Sequence, residues 1–132
     1  MTLALDTSVL VRILSNIPQP LAADVISTVA DRIANGDEMY VSDLVLSEAY
    51  YAMQHHYGVD KRTVLQSLKF MSEQKGFFFT TEAKAVLSIN GLEHMNPGLV
   101  DRLIHAEGER QGMPVLSCEK SFRRLANAEV IP

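Results

Sequence analysis

Cysteine is nearly absent from this sequence of 132 residues, which contains only Cys118. A single cysteine cannot form an internal disulfide, so a reducing compartment is expected. No neighbouring residue pattern suggests thiol chemistry, and we interpret Cys118 as a small core residue.

Long apolar runs are also missing, because none approaches the roughly 20 residues of a membrane span. The N-terminus has no basic segment followed by an apolar stretch, so no signal peptide is expected. The net charge is −4, so the chain as a whole has no positive electrostatic field that would attract nucleic acid. Any nucleic acid would have to meet local basic patches or metal-screened carboxylates. We therefore expect a soluble, cytoplasmic protein with no membrane partner.

What the sequence does contain is an apolar fraction of 47%, enough for the core of one domain over residues 1–132. Short apolar segments alternate with longer segments of helical spacing, which predicts an α/β sandwich with a central, mainly parallel sheet of four to five short strands. Strands are predicted at 3–5, 39–41, 77–79, 115–117 and 129–131. Helices are predicted at 9–14, 21–34, 42–57, 61–74, 80–92, 99–111 and 120–125. The expected helix caps include Thr7 or Ser8, Ser42 and Asp60.

Four acidic residues stand at the ends of these predicted elements. Asp6 and Glu119 follow strands, Glu48 lies on the helix after the second strand, and Asp101 lies in the first turn of its helix. Because sites in parallel α/β sheets form outside the carboxyl ends of the strands, all four could share one edge. Carboxylate oxygens suit Mg²⁺ and Mn²⁺. The alternative is that some of the 16 acidic residues follow strands by chance and are simply solvated.

Four segments resemble the motifs of the PIN domain family, in the same order. They are LALDTSVLV at 3–11, VSDLVLSE at 41–48, VDRLIHA at 100–106 and VLSCEKSF at 115–122. The resemblance covers nearly the whole chain and is closest to the VapC-type toxins of bacterial and archaeal toxin–antitoxin pairs. It implies a PIN-like α/β/α sandwich acting as a ribonuclease that depends on Mg²⁺ or Mn²⁺.

The resemblance also assigns roles to the acids. Asp6, Glu48 and Asp101 match the three main acidic positions, and Glu119 falls where the family usually has aspartate. All four are therefore expected to be catalytic residues and metal ligands.

The residues around the acids both support and weaken this assignment. Thr7, Ser8 and Ser117 match positions that support the site. Gly98 and Ser121 stand where further acids are common, so a second metal ion is less secure than the first.

Three cations follow the last acid directly, namely Lys120, Arg123 and Arg124. They could contact phosphates of an RNA substrate beside the cleaved bond. The competing interpretation is the solvated face of a short helix. His105, one turn after Asp101, is interpreted as a packing or hydrogen-bonding residue rather than a catalytic one.

The resemblance implies two protein partners, a cognate antitoxin and a second copy of the chain in a homodimer. Tyr50 and Tyr51 are neighbours on one helix and cannot both face inward, so one could contribute to such an interface. Two other functions remain open. One is a PIN-like binding or regulatory module without catalysis. The other is a phosphatase-like hydrolase with Asp6 as nucleophile. Such enzymes typically have a second acidic residue two positions later, where this chain has Ser8.

Overall fold

Three parallel strands organise the first of the two units into which the chain divides, Met1–Thr80. The computed structural model describes all 132 residues. The strands are β1 (Thr2–Ala4), β2 (Glu38–Val41) and β3 (Phe77–Phe79), and the helices are α1 (Thr7–Ser15), α2 (Leu21–Ala34), α3 (Asp43–His55) and α4 (Lys61–Ser72). Strand β2 is central, with Met39 opposite Leu3 on one side and Phe77 on the other.

One face of this sheet supplies the core of the first unit. Met39 and Val41 are buried, whereas Glu38 and Tyr40, which alternate with them, are exposed, as the two-residue period of a strand requires. The core also contains fully buried leucines from the helices, Leu10, Leu46 and Leu68.

Side-chain caps fix the starts of two helices as predicted. The Ser42 hydroxyl accepts the Val45 N–H at 3.2 Å at the start of α3. The Asp60 carboxylate accepts the Thr63 N–H at 3.1 Å at the start of α4. Each bond satisfies a backbone donor that the first helical turn cannot pair internally.

The second unit, Thr81–Pro132, combines two helices with two parallel strands. Its elements are α5 (Thr81–Leu87), a 3-10 turn (Leu92–His94), α6 (Leu99–Arg110), β4 (Val115–Ser117), a 3-10 helix (Lys120–Arg124) and β5 (Ala128–Val130). Leu116 of β4 lies opposite Glu129 of β5. Helix α6 approaches the β4 segment at Gly108, where a Cβ would lie 2.8 Å from the Met113 carbonyl oxygen. Only glycine permits that approach.

The predicted α/β class with parallel strands is confirmed. The five strands divide between a three-stranded and a two-stranded sheet, whereas one central sheet of four to five strands was expected. Several boundaries also differ from the prediction. Helix α5 ends at Leu87 rather than near residue 92, and the chain then passes through Gly91, whose φ of +74° does not suit a helix. The predicted last helix is a 3-10 helix. No helix has both the length and the apolar character that crossing a bilayer requires.

The interpretation of Cys118 as a core residue is wrong, because this side chain is exposed. Leu116, two residues earlier, is also exposed while Ser117 between them is half-buried. Cys118 lies in the bend directly after β4, beyond the last residue of that strand, Ser117.

Candidate functional site

Asp6 follows β1 and serves as the N-cap of α1, a role that the sequence assigned wrongly to Thr7 or Ser8. Its Oδ1 accepts the Ser8 hydroxyl at 2.5 Å and the Val9 N–H at 3.2 Å. The Ser8 hydroxyl, followed by the Val9 N–H and with a contribution from the Arg12 guanidinium, lowers the pKa of Asp6. These bonds favour the ionised form. The Asp6 side chain is exposed, so the structure presents a carboxylate that stays charged at neutral pH.

Glu48 is brought to the same end of α1 by its neighbour in space, Thr7. The Thr7 hydroxyl donates to Oε1 of Glu48 at 3.0 Å, although the two residues are 41 apart in sequence. Thr7 is the first residue of α1 and directly follows Asp6. Within the first unit, the structure therefore brings one predicted supporting residue and two predicted acids to the N-terminus of α1.

Asp101 and Glu119 form the second pair, within the second unit. Asp101 is half-buried in the first turn of α6, and burial, reinforced by the negative charge of Glu119, raises its pKa. Glu119 is exposed, two residues beyond the end of β4. Its N–H donates to the Ser117 hydroxyl at 2.9 Å, which fixes the bend that carries the acid away from the strand. Ser117 thus orders the backbone at Glu119.

Two arginines close in sequence to these acids bind backbone carbonyls. Arg12 donates through Nη1 to the Ser8 carbonyl at 2.9 Å, and its Nε is buried without a hydrogen-bond partner. Arg102 donates through Nε to the Pro97 carbonyl at 2.7 Å, just before the start of α6. Arg102 thereby secures the loop that leads into the helix bearing Asp101.

The three cations after Glu119 differ in their surroundings. All three are exposed on the 3-10 helix, but no hydrogen bond or ion pair occupies the charged groups of Lys120 and Arg123. Arg124 donates through Nη1 to the Asn96 carbonyl at 2.6 Å. A guanidinium engaged with backbone is less available to phosphate than its two neighbours.

His105 is the buried polar residue of this unit, as the hydrogen-bonding interpretation predicted. It is 8% exposed, its Nε2 lies 2.5 Å from the Ala126 carbonyl, and its Nδ1 lies 3.1 Å from Oε1 of Glu109. No local pattern in the sequence indicates the contact with Ala126, because the two residues are 21 apart.

The donor chemistry of both pairs suits a hard divalent cation. No group of three or more histidine, cysteine, aspartate and glutamate side chains that could hold a metal ion occurs in the structure. Mg²⁺, however, commonly keeps several waters and is bound through one or two carboxylates. A pair of carboxylates, one of them held ionised as Asp6 is, fits that requirement.

The chain belongs to the PIN domain family, because the model of that family matches residues 3–128. Members of this family are generally nucleases. The match includes all four predicted acids and both structural units.

Comparison with curated proteins finds no match. Among solved structures, the chain is similar to one from a crystal structure of VapBC2 from Rickettsia felis bound to a DNA fragment from their promoter. The identity is 15%, the alignment covers 99% of this chain and 98% of that chain, and the TM-score is 0.43.

Proposed function

We propose that this protein is an endoribonuclease that depends on Mg²⁺ or Mn²⁺ and acts in the cytoplasm as the toxin of a toxin–antitoxin pair. The observation that carries the proposal is the pairing of carboxylates in a chain of the PIN family. Thr7 links Glu48 to the segment that bears Asp6, and Glu119 acts electrostatically on Asp101.

The proposal treats residues 1–132 as one PIN domain and all four acids as its catalytic and metal-binding residues. One family model spans both structural units without interruption, which supports the single domain. The order of the acids along the chain follows the family motifs, which supports assigning all four to metal binding and catalysis.

The chain's own residues prepare the site for a cation in different ways. Asp6 is ionised at neutral pH, and the Ser8 hydroxyl and Val9 N–H fix its orientation. Burial and the negative charge of Glu119 raise the pKa of Asp101, and a bound cation would oppose both effects by favouring the ionised form. Glu48 is oriented by Thr7. Mg²⁺ bound by these carboxylates would supply an acidified water and would neutralise charge on the phosphate.

The reaction we propose is hydrolysis by direct attack of water on phosphorus. The water oxygen forms the new P–O bond, the bond to the 3′ oxygen breaks, and the products carry a 5′-phosphate and a 3′-hydroxyl. Lys120 and Arg123 lie exposed next to Glu119 and are placed to bind the RNA backbone, with Arg124 as a weaker candidate because of its bond to Asn96.

Cleavage of single-stranded RNA by the purified protein tests this proposal. We expect cleavage with Mg²⁺ or Mn²⁺, none with EDTA, and a large loss in Asp6→Asn. Activity that survives both EDTA and Asp6→Asn would reject it.

A binding or regulatory module without catalysis is the second candidate, favoured by Gly98 and Ser121 at positions where relatives often have acids. Calorimetric titration with Mn²⁺ of the wild-type protein and Asp6→Asn separates the two functions. Heat of binding that disappears in Asp6→Asn supports the nuclease, whereas no binding by the wild type supports the inactive module.

An apolar groove in the first unit supports a protein partner, which we propose is an amphipathic segment of the antitoxin. Two cavities of about 610 and 460 Å³ share Ile13, Gln74 and Phe77. Phe70 at the rim is 65% exposed, and amphipathic helices dock into grooves of this kind. Phe70→Glu should abolish binding of the cognate antitoxin, while Phe78→Glu, an exposed site outside the groove, should not. Equal binding by both variants would contradict this assignment.

The outward face of α3 supports the proposed homodimer. Tyr50 is buried and Tyr51 is exposed, as the sequence required of one of them, and Tyr51 stacks on His55 with ring centroids 6.1 Å apart. Leu44 on the same stripe is 71% exposed. Light scattering should give twice the mass of the chain, and Tyr51→Glu should give the monomer. A wild-type monomer would refute the dimer.

A further inference from the structure

We propose that His105 and Arg124 are positioning residues that hold the chain segment bearing Glu119 against the helix bearing Asp101. This inference rests on the proposed function, because it assigns the two residues to the geometry of the carboxylate pair. It concerns the second unit alone.

Each residue makes one bond between the same two parts of the unit. His105 lies on α6 and contacts the Ala126 carbonyl just after the 3-10 helix. Arg124 lies on the 3-10 helix and donates to the Asn96 carbonyl just before α6. One bond links α6 to the residues that follow the 3-10 helix, and the other links the 3-10 helix to the loop that precedes α6. The helix and the segment are therefore connected at two separate points.

The His105 side chain is prepared for this role by burial and by a second partner. Its ring is 8% exposed, and Nδ1 faces Oε1 of Glu109 one turn along α6. Contacts at both nitrogens fix the ring plane, so Nε2 is directed at Ala126. Residues that orient a metal ligand in this way commonly change metal affinity when replaced.

Glu119 itself has little to hold it. Its side chain is exposed, and its backbone is ordered by the Ser117 hydroxyl on one side and by the 3-10 helix on the other. Ser117 fixes the local bend and cannot set the separation from α6. The two bonds to the Ala126 and Asn96 carbonyls are the polar contacts that span this gap.

The test is calorimetric titration with Mn²⁺ of matched variants. His105→Phe removes the hydrogen bond and keeps a ring, whereas His105→Gln keeps an amide donor close to the position of Nε2. Arg124→Met removes the donor and one charge, and Arg123→Met removes one charge at a neighbouring exposed site.

We expect His105→Phe and Arg124→Met each to raise the Mn²⁺ dissociation constant about tenfold, and His105→Gln and Arg123→Met to stay within about twofold of the wild type. Equal losses in His105→Gln and His105→Phe, or in Arg123→Met and Arg124→Met, would overturn the inference. Should His105→Phe not fold, the two arginine variants still decide the question.

Amide hydrogen exchange of the metal-free protein separates this inference from the proposed function. Residues 119–126 should exchange faster in His105→Phe and Arg124→Met than in the wild type. If exchange is faster in both variants but the wild type binds no Mn²⁺, the two positioning bonds are supported and the metal site is rejected. If exchange is unchanged in both variants, the two bonds do not hold the segment and the inference is overturned.

Discussion

Asp6 combines a structural and a chemical role that two substitutions can separate. Its carboxylate caps α1 through the Val9 N–H and accepts the Ser8 hydroxyl. Asparagine caps helices about as well as aspartate, whereas alanine at an N-cap costs about 1 kcal/mol. For a chain of 132 residues, that loss lowers Tm by about 4 °C. Asp6→Asn should therefore unfold within about 1 °C of the wild type, and Asp6→Ala clearly below it.

Activity should not separate the two variants as stability does, because both should lose it. Both substitutions remove the negative charge that we propose binds the cation, and a contribution of about 3–4 kcal/mol to the transition state corresponds to a loss of roughly 10²–10³-fold in kcat/KM. Thermal unfolding followed by circular dichroism, together with cleavage of a fluorescent RNA, measures both quantities. If Asp6→Asn were as unstable as Asp6→Ala, or if it kept wild-type activity, the division of roles would be refuted.

The pH dependence of stability supplies an independent check on Asp6. Hydrogen bonding to the Ser8 hydroxyl and the Val9 N–H lowers its pKa from 3.8. The folded state therefore holds the proton less tightly than the unfolded chain. The stabilisation is present above pH 3.8 and is lost as the pH falls through the lowered folded-state pKa. The Tm of the wild type should therefore fall relative to that of Asp6→Asn only when the pH enters this acidic range.

Three further predictions concern other residues of the site. Thr7→Val should lower kcat about tenfold by releasing Glu48, while Thr28→Val on exposed α2 should not; equal effects would contradict the role of the Thr7–Glu48 bond. Asp101→Asn should raise Tm at neutral pH by about 1–4 °C, because the ionised form is disfavoured by burial. That gain should vanish below pH 3.8, and its absence at neutral pH would contradict the raised pKa. Lys120→Met should reduce the salt slope of RNA binding by about 1; an unchanged slope would exclude a phosphate contact.

Local signals in the sequence predicted the elements of the fold well. The strands β3 and β4 were predicted at their observed bounds, and Ser42 and Asp60 cap their helices as expected. These features depend on neighbouring residues, because a cap needs a polar side chain only three positions before its partner. The α1 cap was missed because three consecutive residues, Asp6, Thr7 and Ser8, all have capping side chains.

The features that the sequence did not predict depend on contacts between segments that are far apart in the chain. The Thr7–Glu48 bond spans 41 residues, the Arg124–Asn96 bond spans 28 and the His105–Ala126 contact spans 21. No periodicity or propensity specifies such pairs, since they depend on how the elements pack. The same holds for the exposure of Cys118, which lies in the bend just beyond the end of β4.

The measurement that tests the central claim most directly is the chemistry of the RNA ends produced in the presence of Mg²⁺. Metal-dependent attack by water predicts a 5′-phosphate and a 3′-hydroxyl from the wild-type protein, and no such products from Asp6→Asn prepared in the same way. Attack by the neighbouring 2′-hydroxyl would instead leave a cyclic phosphate. Cyclic ends, or the same ends from Asp6→Asn and from samples with EDTA, would contradict a metal-dependent ribonuclease built on these carboxylates.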